Sequence, residues 1–154
     1  MSEIQRIADQ LKRAFEKDAW HGPSVLETLQ GVTAEKAEAR PVTGAHSIWE
    51  IVRHLTAWMK VVRRRVLGER VDQPEEGDWP VIKETAASDW AKALDELQKS
   101  YADLMITISS FSDEDLSKNM FDEEDYIYIR LHGIIQHNLY HAGQIAVLKK
   151  AITK

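Results

Sequence analysis

The stretch "SDWAKALDELQKSYADLMITIS", residues 88–109, decides the fold. Trp90, Leu94, Leu97, Tyr101, Leu104 and Ile108 recur along it at alternating steps of four and three. That period is the seam of a helix packed lengthwise against other helices. A half-buried strand would instead alternate apolar and polar residues, and no segment does so for long enough to build a sheet.

Working outward, "SIWEIVRHLTAWMKVVRRRVLG" at 47–68 is a second long helix. Ser47 and Glu50 form an S-x-x-E capping box just before its apolar run. Gly68 is its C-terminal stop. Its expected buried stripe is Ile51, Leu55, Trp58 and Val62. Nearer the front, Ile4, Ile7, Ala8, Leu11 and Phe15 mark another helix that ends before "HGP" at 21–23. A short helix, "SVLETLQ" at 24–30, has Ser24 as cap and Gly31 as stop, and one helical turn follows Thr33. The last long helix runs from about Tyr126 to Ile152. Two acidic connections remain. One spans 69–87 with Pro74, Gly77 and Pro80; the other is "FSDEDLSKNMFDEED" at 111–125, with one short helix. Loops of such length in a compact domain are functional or mobile. Four long helices with long connections predict an all-α, four-helix bundle. The 154 residues predict a single domain over 1–154.

Composition narrows the function. The formal charge is −5, and no basic block stands out beyond "RRR" at 63–65, so there is no electrostatic footprint for nucleic acid. That run reads as solvated surface near a helix C-terminus, where cations are favoured. There is no cysteine, which removes disulfides, thiolate nucleophiles and Cys-ligated zinc together. A transition metal would have to be held by His, Asp or Glu. "MSEIQRIADQLKRAFEKDAW" at the front lacks the apolar core of a signal peptide, and no stretch approaches a membrane span. A cytoplasmic protein without a membrane or nucleic-acid partner is expected.

Six histidines are present: His21, His46, His54, His132, His137 and His141. On the last helix the seam reads Ile134, His137, His141, Ile145, Leu148 and Ile152. Residues four apart share a face, so both imidazoles can reach one metal. On the second helix His54 lies between Ile51 and Trp58, on the buried stripe. An uncompensated buried polar group costs roughly 1–3 kcal/mol. Three inward imidazoles therefore need partners, and one divalent cation would satisfy them all. A hydrogen-bonded core histidine is the competing reading for any one of them. His21 and His46 precede helix starts and read as loop residues, and His132 is off the face of His137.

These residues carry a family resemblance. "HSIWEIVRHLTAW" at 46–58 with "HNLYHAGQIAVLKK" at 137–150 resembles the DinB-like superfamily of bacterial four-helix proteins. "WHGPSVLETLQGV" at 20–32 is similar to the same family's segment between its first two long helices. The family's metal ligands map onto His54, His137 and His141. The resemblance implies a divalent metal, zinc or nickel, in a three-His site with open positions. It also implies enzymes that use a low-molecular-weight thiol such as bacillithiol or mycothiol as cosubstrate. A common family variant has Asp after the first His of the last block, where this chain has Asn138.

The expected function is a divalent-metal-dependent enzyme acting on a small molecule, as a thiol transferase or a hydrolase. A non-catalytic, stress-related metal-binding protein and a bundle with an empty, vestigial site are the alternatives. Glu50, one turn before His54, and Gln144, three after His141, are candidates to hold the metal-binding rings through their second nitrogens. Glu50, Asp89 and the acidic loops are the candidate general bases. Gly143 either opens the site or permits close helix packing. Trp49, Trp58 and Tyr140 either line a pocket or belong to the core or an interface. A homodimer is compatible with the pattern, but no stripe demands one.

Overall fold

Serine sets where several helices begin. Ser2, Ser24 and Ser47 each accept the backbone N–H three residues on. Gln5, Glu27 and Glu50 answer by accepting the serine's own N–H at 2.9, 2.9 and 2.8 Å. Each box satisfies two backbone donors that would otherwise lack partners. The helices that result are α1 (Glu3–Phe15), α2 (Val25–Leu29), α3 (Ala34–Glu38), α4 (Ile48–Val66), α5 (Ala87–Ser109) and α6 (Ile127–Ile152). A 3₁₀ turn covers Asp113–Ser117. The structure, a computed structural model, describes residues 1–121 and 124–152. Part of the acidic connection at 111–125 thus lies outside the described residues. Among the described residues there is no strand, only an isolated antiparallel bridge between Asn119 and Tyr126.

The four long helices form the bundle. Helix α4 packs against α5 and α6, and α1 packs against the other sides of α5 and α6. The short helix α2 lies on α6, and α3 lies on α4 and α5. The core joins Ile7, Leu11 and Phe15 of α1 to Ile51, Leu55 and Met59 of α4, Leu97 and Leu104 of α5, and Leu131 and Ile145 of α6. Phe15 and Tyr101 stack at 4.0 Å, and the Tyr101 hydroxyl donates to Glu16 at 2.9 Å. Gly68, at a φ of 92°, takes the left-handed conformation that ends α4.

Three details of the expected stripes change. On α4, Trp58 is half-buried rather than core. On α5, Leu94 is only partly buried, and Ala93 takes a core position beside it. On α6 the buried face is broader than one seam: Ile135, Asn138 and Ala142 are buried, while His137 is half-buried. The reason is packing on several sides, since α6 touches α1, α2 and α4 together. No helix among the described residues is long and apolar enough to cross a membrane.

Candidate metal centre

The contact between α4 and α6 brings His54, His137 and His141 together. One ring nitrogen from each lies within 4.8 Å of the other two. His54 Nε2 and His137 Nε2 are 2.9 Å apart. The ring centroids of His141 sit 4.7 Å from His54 and 4.5 Å from His137. Each ring comes from mid-helix backbone, which fixes its position better than a loop would.

Two of the rings have their tautomer set by a partner. His54 Nδ1 is 2.7 Å from the Asp78 backbone carbonyl. A carbonyl only accepts, so Nδ1 carries the proton and Nε2 is bare. His141 Nδ1 likewise donates to Gln144 Oε1 at 2.6 Å, which leaves its Nε2 bare. Donating the second N–H to a carbonyl is the usual way a metal-binding imidazole is oriented. His137 Nδ1 is buried with no hydrogen-bond partner. With no cation present, the 2.9 Å contact is one N–H···N hydrogen bond donated by His137. With one present, these nitrogens suit a divalent ion that takes imidazole at about 2.0–2.1 Å.

Electrostatics keep the rings neutral, the form that binds metal. Burial pushes the His54 imidazole below its ordinary value, against the raising effect of the Asp78 carbonyl. Burial, then the neighbouring His141 and His54, lowers His137 to about 3. Burial lowers His141 to about 4, and the bond to Gln144 opposes this.

Sequence reading missed the cover of this site. The connection after α4 folds back along the helix it has just left. Arg64 binds Glu69 and Glu75 at 2.7 and 2.6 Å, and Arg65 donates to the Val71 and Asp72 carbonyls. A turn earlier on α4, Lys60 reaches Glu76. Two residues before Lys60, Trp58 Nε1 donates to Asp78 Oδ1 at 2.7 Å. The strap then inserts Trp79 between two imidazoles, stacked at 4.0 Å on His54 and 3.5 Å on His46. Pro74 and Pro80 are buried. The arginine run expected to be plain solvated surface therefore anchors this strap. A signal existed in the sequence: two prolines and a tryptophan inside an otherwise acidic loop.

Glu50 does not touch His54; it binds Ser47, Arg40 at 2.6 Å and His46 at 3.3 Å. Asp89 binds Lys92. Trp49 is core, packed against Trp90. Trp58 flanks His54 and His137 edge-on. Tyr140 is exposed, with its ring edge-on to His141 at 5.0 Å. His46 stays outside the ligand group but holds the far face of Trp79. His132 lies against Tyr128. Asn138 is fully buried, and neither its oxygen nor its nitrogen has a protein partner. Gly143 packs against nothing: a Cβ built there meets no atom within 4 Å, which overturns close helix packing as its role.

An all-α bundle carrying a buried three-imidazole group between two of its long helices defines the class. The sequence profile of the DinB superfamily matches residues 19–145, and the chain belongs to that superfamily. No curated protein matches it. A crystal structure of a conserved protein from Enterococcus faecalis shares the fold, with a TM-score of 0.72 at 19% identity. The match covers 100% of this chain and 99% of that one.

Proposed function

We propose that His54, His137 and His141 hold one divalent cation, zinc or nickel, and that the protein is a metal-dependent enzyme for thiol transfer or hydrolysis of a small molecule. The observation that carries this is the 2.9 Å approach of two imidazole nitrogens, beside a third imidazole whose Nε2 is bare. Three neutral ligands leave a cation's charge uncancelled, so a bound divalent ion would supply Lewis-acid activation of water or of an incoming thiol. The chain has no cysteine, so the sulfur in a thiol transfer comes from a low-molecular-weight cosubstrate. Asp78 and Gln144 orient His54 and His141 by accepting their Nδ1–H groups. Trp79 stacks on His54, and Trp58 flanks His54 and His137.

A metal-binding protein without turnover is the second reading, and one observation favours it. The carboxylates nearest the site are engaged: Asp78 with Trp58, and Glu50 with Arg40. The test is metal content per chain after loading with zinc or nickel, for wild type and His137→Ala. Near-stoichiometric metal in wild type and its loss in the variant are expected. Equal retention in both rules out this ligand set. Loaded wild type is then assayed for thiol transfer and for ester and amide hydrolysis. Retained metal with no turnover selects the second reading.

A further inference from the structure

An open groove of about 620 Å³, with Val42, Tyr140 and Val147 exposed along it, lies beside the three-His group. Val42, Ala45, Ile51, Val147 and Leu148 supply apolar wall, and His46, Tyr140 and Gln144 stand on the side toward the imidazoles. Cavities of roughly 300–1,000 Å³ with apolar walls and few polar groups are the usual form of a small-molecule site. We propose that this cavity binds a neutral small molecule with an apolar body and one carbonyl oxygen. This deepens the proposed function by naming its substrate class, and only turnover rests on that reading.

Three observations support the assignment. First, Gln144 is a two-sided link. Its oxygen accepts from His141, so its amide N–H₂ is the donor left for a ligand, with no protein partner among the described residues. A carbonyl oxygen in the cavity is the acceptor that this donor lacks. Second, Gly143, an exposed residue, leaves the lining beside Gln144 without a side chain. It is a helical residue with ordinary backbone, and the space where its Cβ would stand is open. Glycine inside a helix costs roughly 0.5–1 kcal/mol relative to alanine, and here no packing contact offsets that cost. Third, the walls select against an anion. Among the lining residues there is no lysine, arginine, aspartate or glutamate. A carboxylate would enter without a free countercharge, whereas a neutral carbonyl needs none.

The probe is 2-naphthamide, titrated into the full-length protein and followed by amide chemical shifts. Shifts confined to Ala45, Tyr140, Val147 and the Gln144 side-chain amide are expected. Binding of 2-naphthoate should be weaker. Gly143→Leu fills the open space, and overfilling a site of this kind should weaken the amide by about tenfold or more. A melting temperature at or above wild type shows that the variant is folded. Equal binding to wild type and Gly143→Leu, shifts elsewhere, preference for the naphthoate, or no binding up to the solubility limit overturns the assignment. So does a dimer that Val147→Lys dissociates, because a second copy of the chain would then be what covers this face. Zinc or nickel per chain in the same samples reads the metal centre separately. A wild type that holds neither zinc nor nickel after loading with each, yet binds 2-naphthamide, overturns the proposed function and leaves the cavity assignment standing.

Discussion

Helices α1 and α5 meet through a dry seam, whereas α4 and α6 meet through imidazoles. On the first side Ile7, Leu11, Phe15, Leu97, Leu104 and Ile108 are all fully buried. On the second, His54 and His141 are buried and His137 is half-buried, and Asn138 lies wholly inside with no protein partner. Apolar burial stabilises a fold without regard to direction. A buried polar group stabilises only if its partners are placed. The apolar burial on the dry side does not depend on protonation. The polar side provides a place for chemistry, and its contribution depends on protonation and on metal.

The largest break in this comparison is expected on the dry side. Leu97→Ala removes a fully buried side chain from the seam and should cost about 2–5 kcal/mol, read by urea denaturation. Metal per folded chain should not change. If that variant lost its metal while still folded, the two sides would not be separable.

Acid should act on the polar side through its imidazoles. Above the ordinary imidazole value of about 6.5, folded and unfolded chains are both neutral and these groups contribute no pH dependence. As pH falls below it, the unfolded chain takes up protons that the folded rings refuse. His137 and His141 hold out to about 3 and about 4, and His54 also titrates below its ordinary value. The metal-free protein should therefore lose stability as pH falls from about 6.5 toward 4, by about 1.4 kcal/mol per pH unit for each proton refused. Denaturation series at several pH values, on wild type and His137→Leu, check this. The variant should show a shallower slope, and an unchanged slope would mean that His137 is not held neutral by the fold.

The smallest effect concerns the strap. Trp79→Ala removes two stacking partners, and each aromatic pair is worth about 0.5–1.5 kcal/mol beyond area burial. The expected loss in melting experiments is of that order, with Trp79→Phe recovering part of it. The same change should speed hydrogen exchange at the backbone amides of residues 75–79 and leave α1 and α5 untouched. Uniform acceleration across the bundle would show that the strap is part of the cooperative core rather than a cover on it.

The ease of reading differs along the same line. The 88–109 seam and the S-x-x-E box at Ser47 are local patterns, and they gave the helices and their starts directly. His137 and His141 are one turn apart on one helix, so their juxtaposition follows from α-helical pitch. His54 joins them only because α4 and α6 are neighbours, which periodicity does not supply. Trp58 was misplaced because a residue on the buried stripe still ends at the rim when the adjoining element is an irregular strap. Glu50 is one turn from His54, yet it is held by Arg40 and His46, and sequence gives no ranking between such rival partners.

The amino-acid sequence by itself determined an all-helical fold, the capped starts of its helices, much of the inward face of each, and a supply of imidazoles to hold a metal. Those properties depend on spacing along one helix, which covalent geometry fixes. Only the tertiary structure decided that the strap after α4 turns back to lay Asp78 and Trp79 against His54, that Gln144 rather than Glu50 accepts from a site imidazole, and that Gly143 faces open space. These contacts join residues from different elements or from a loop without periodicity. Packing of the whole chain selects them.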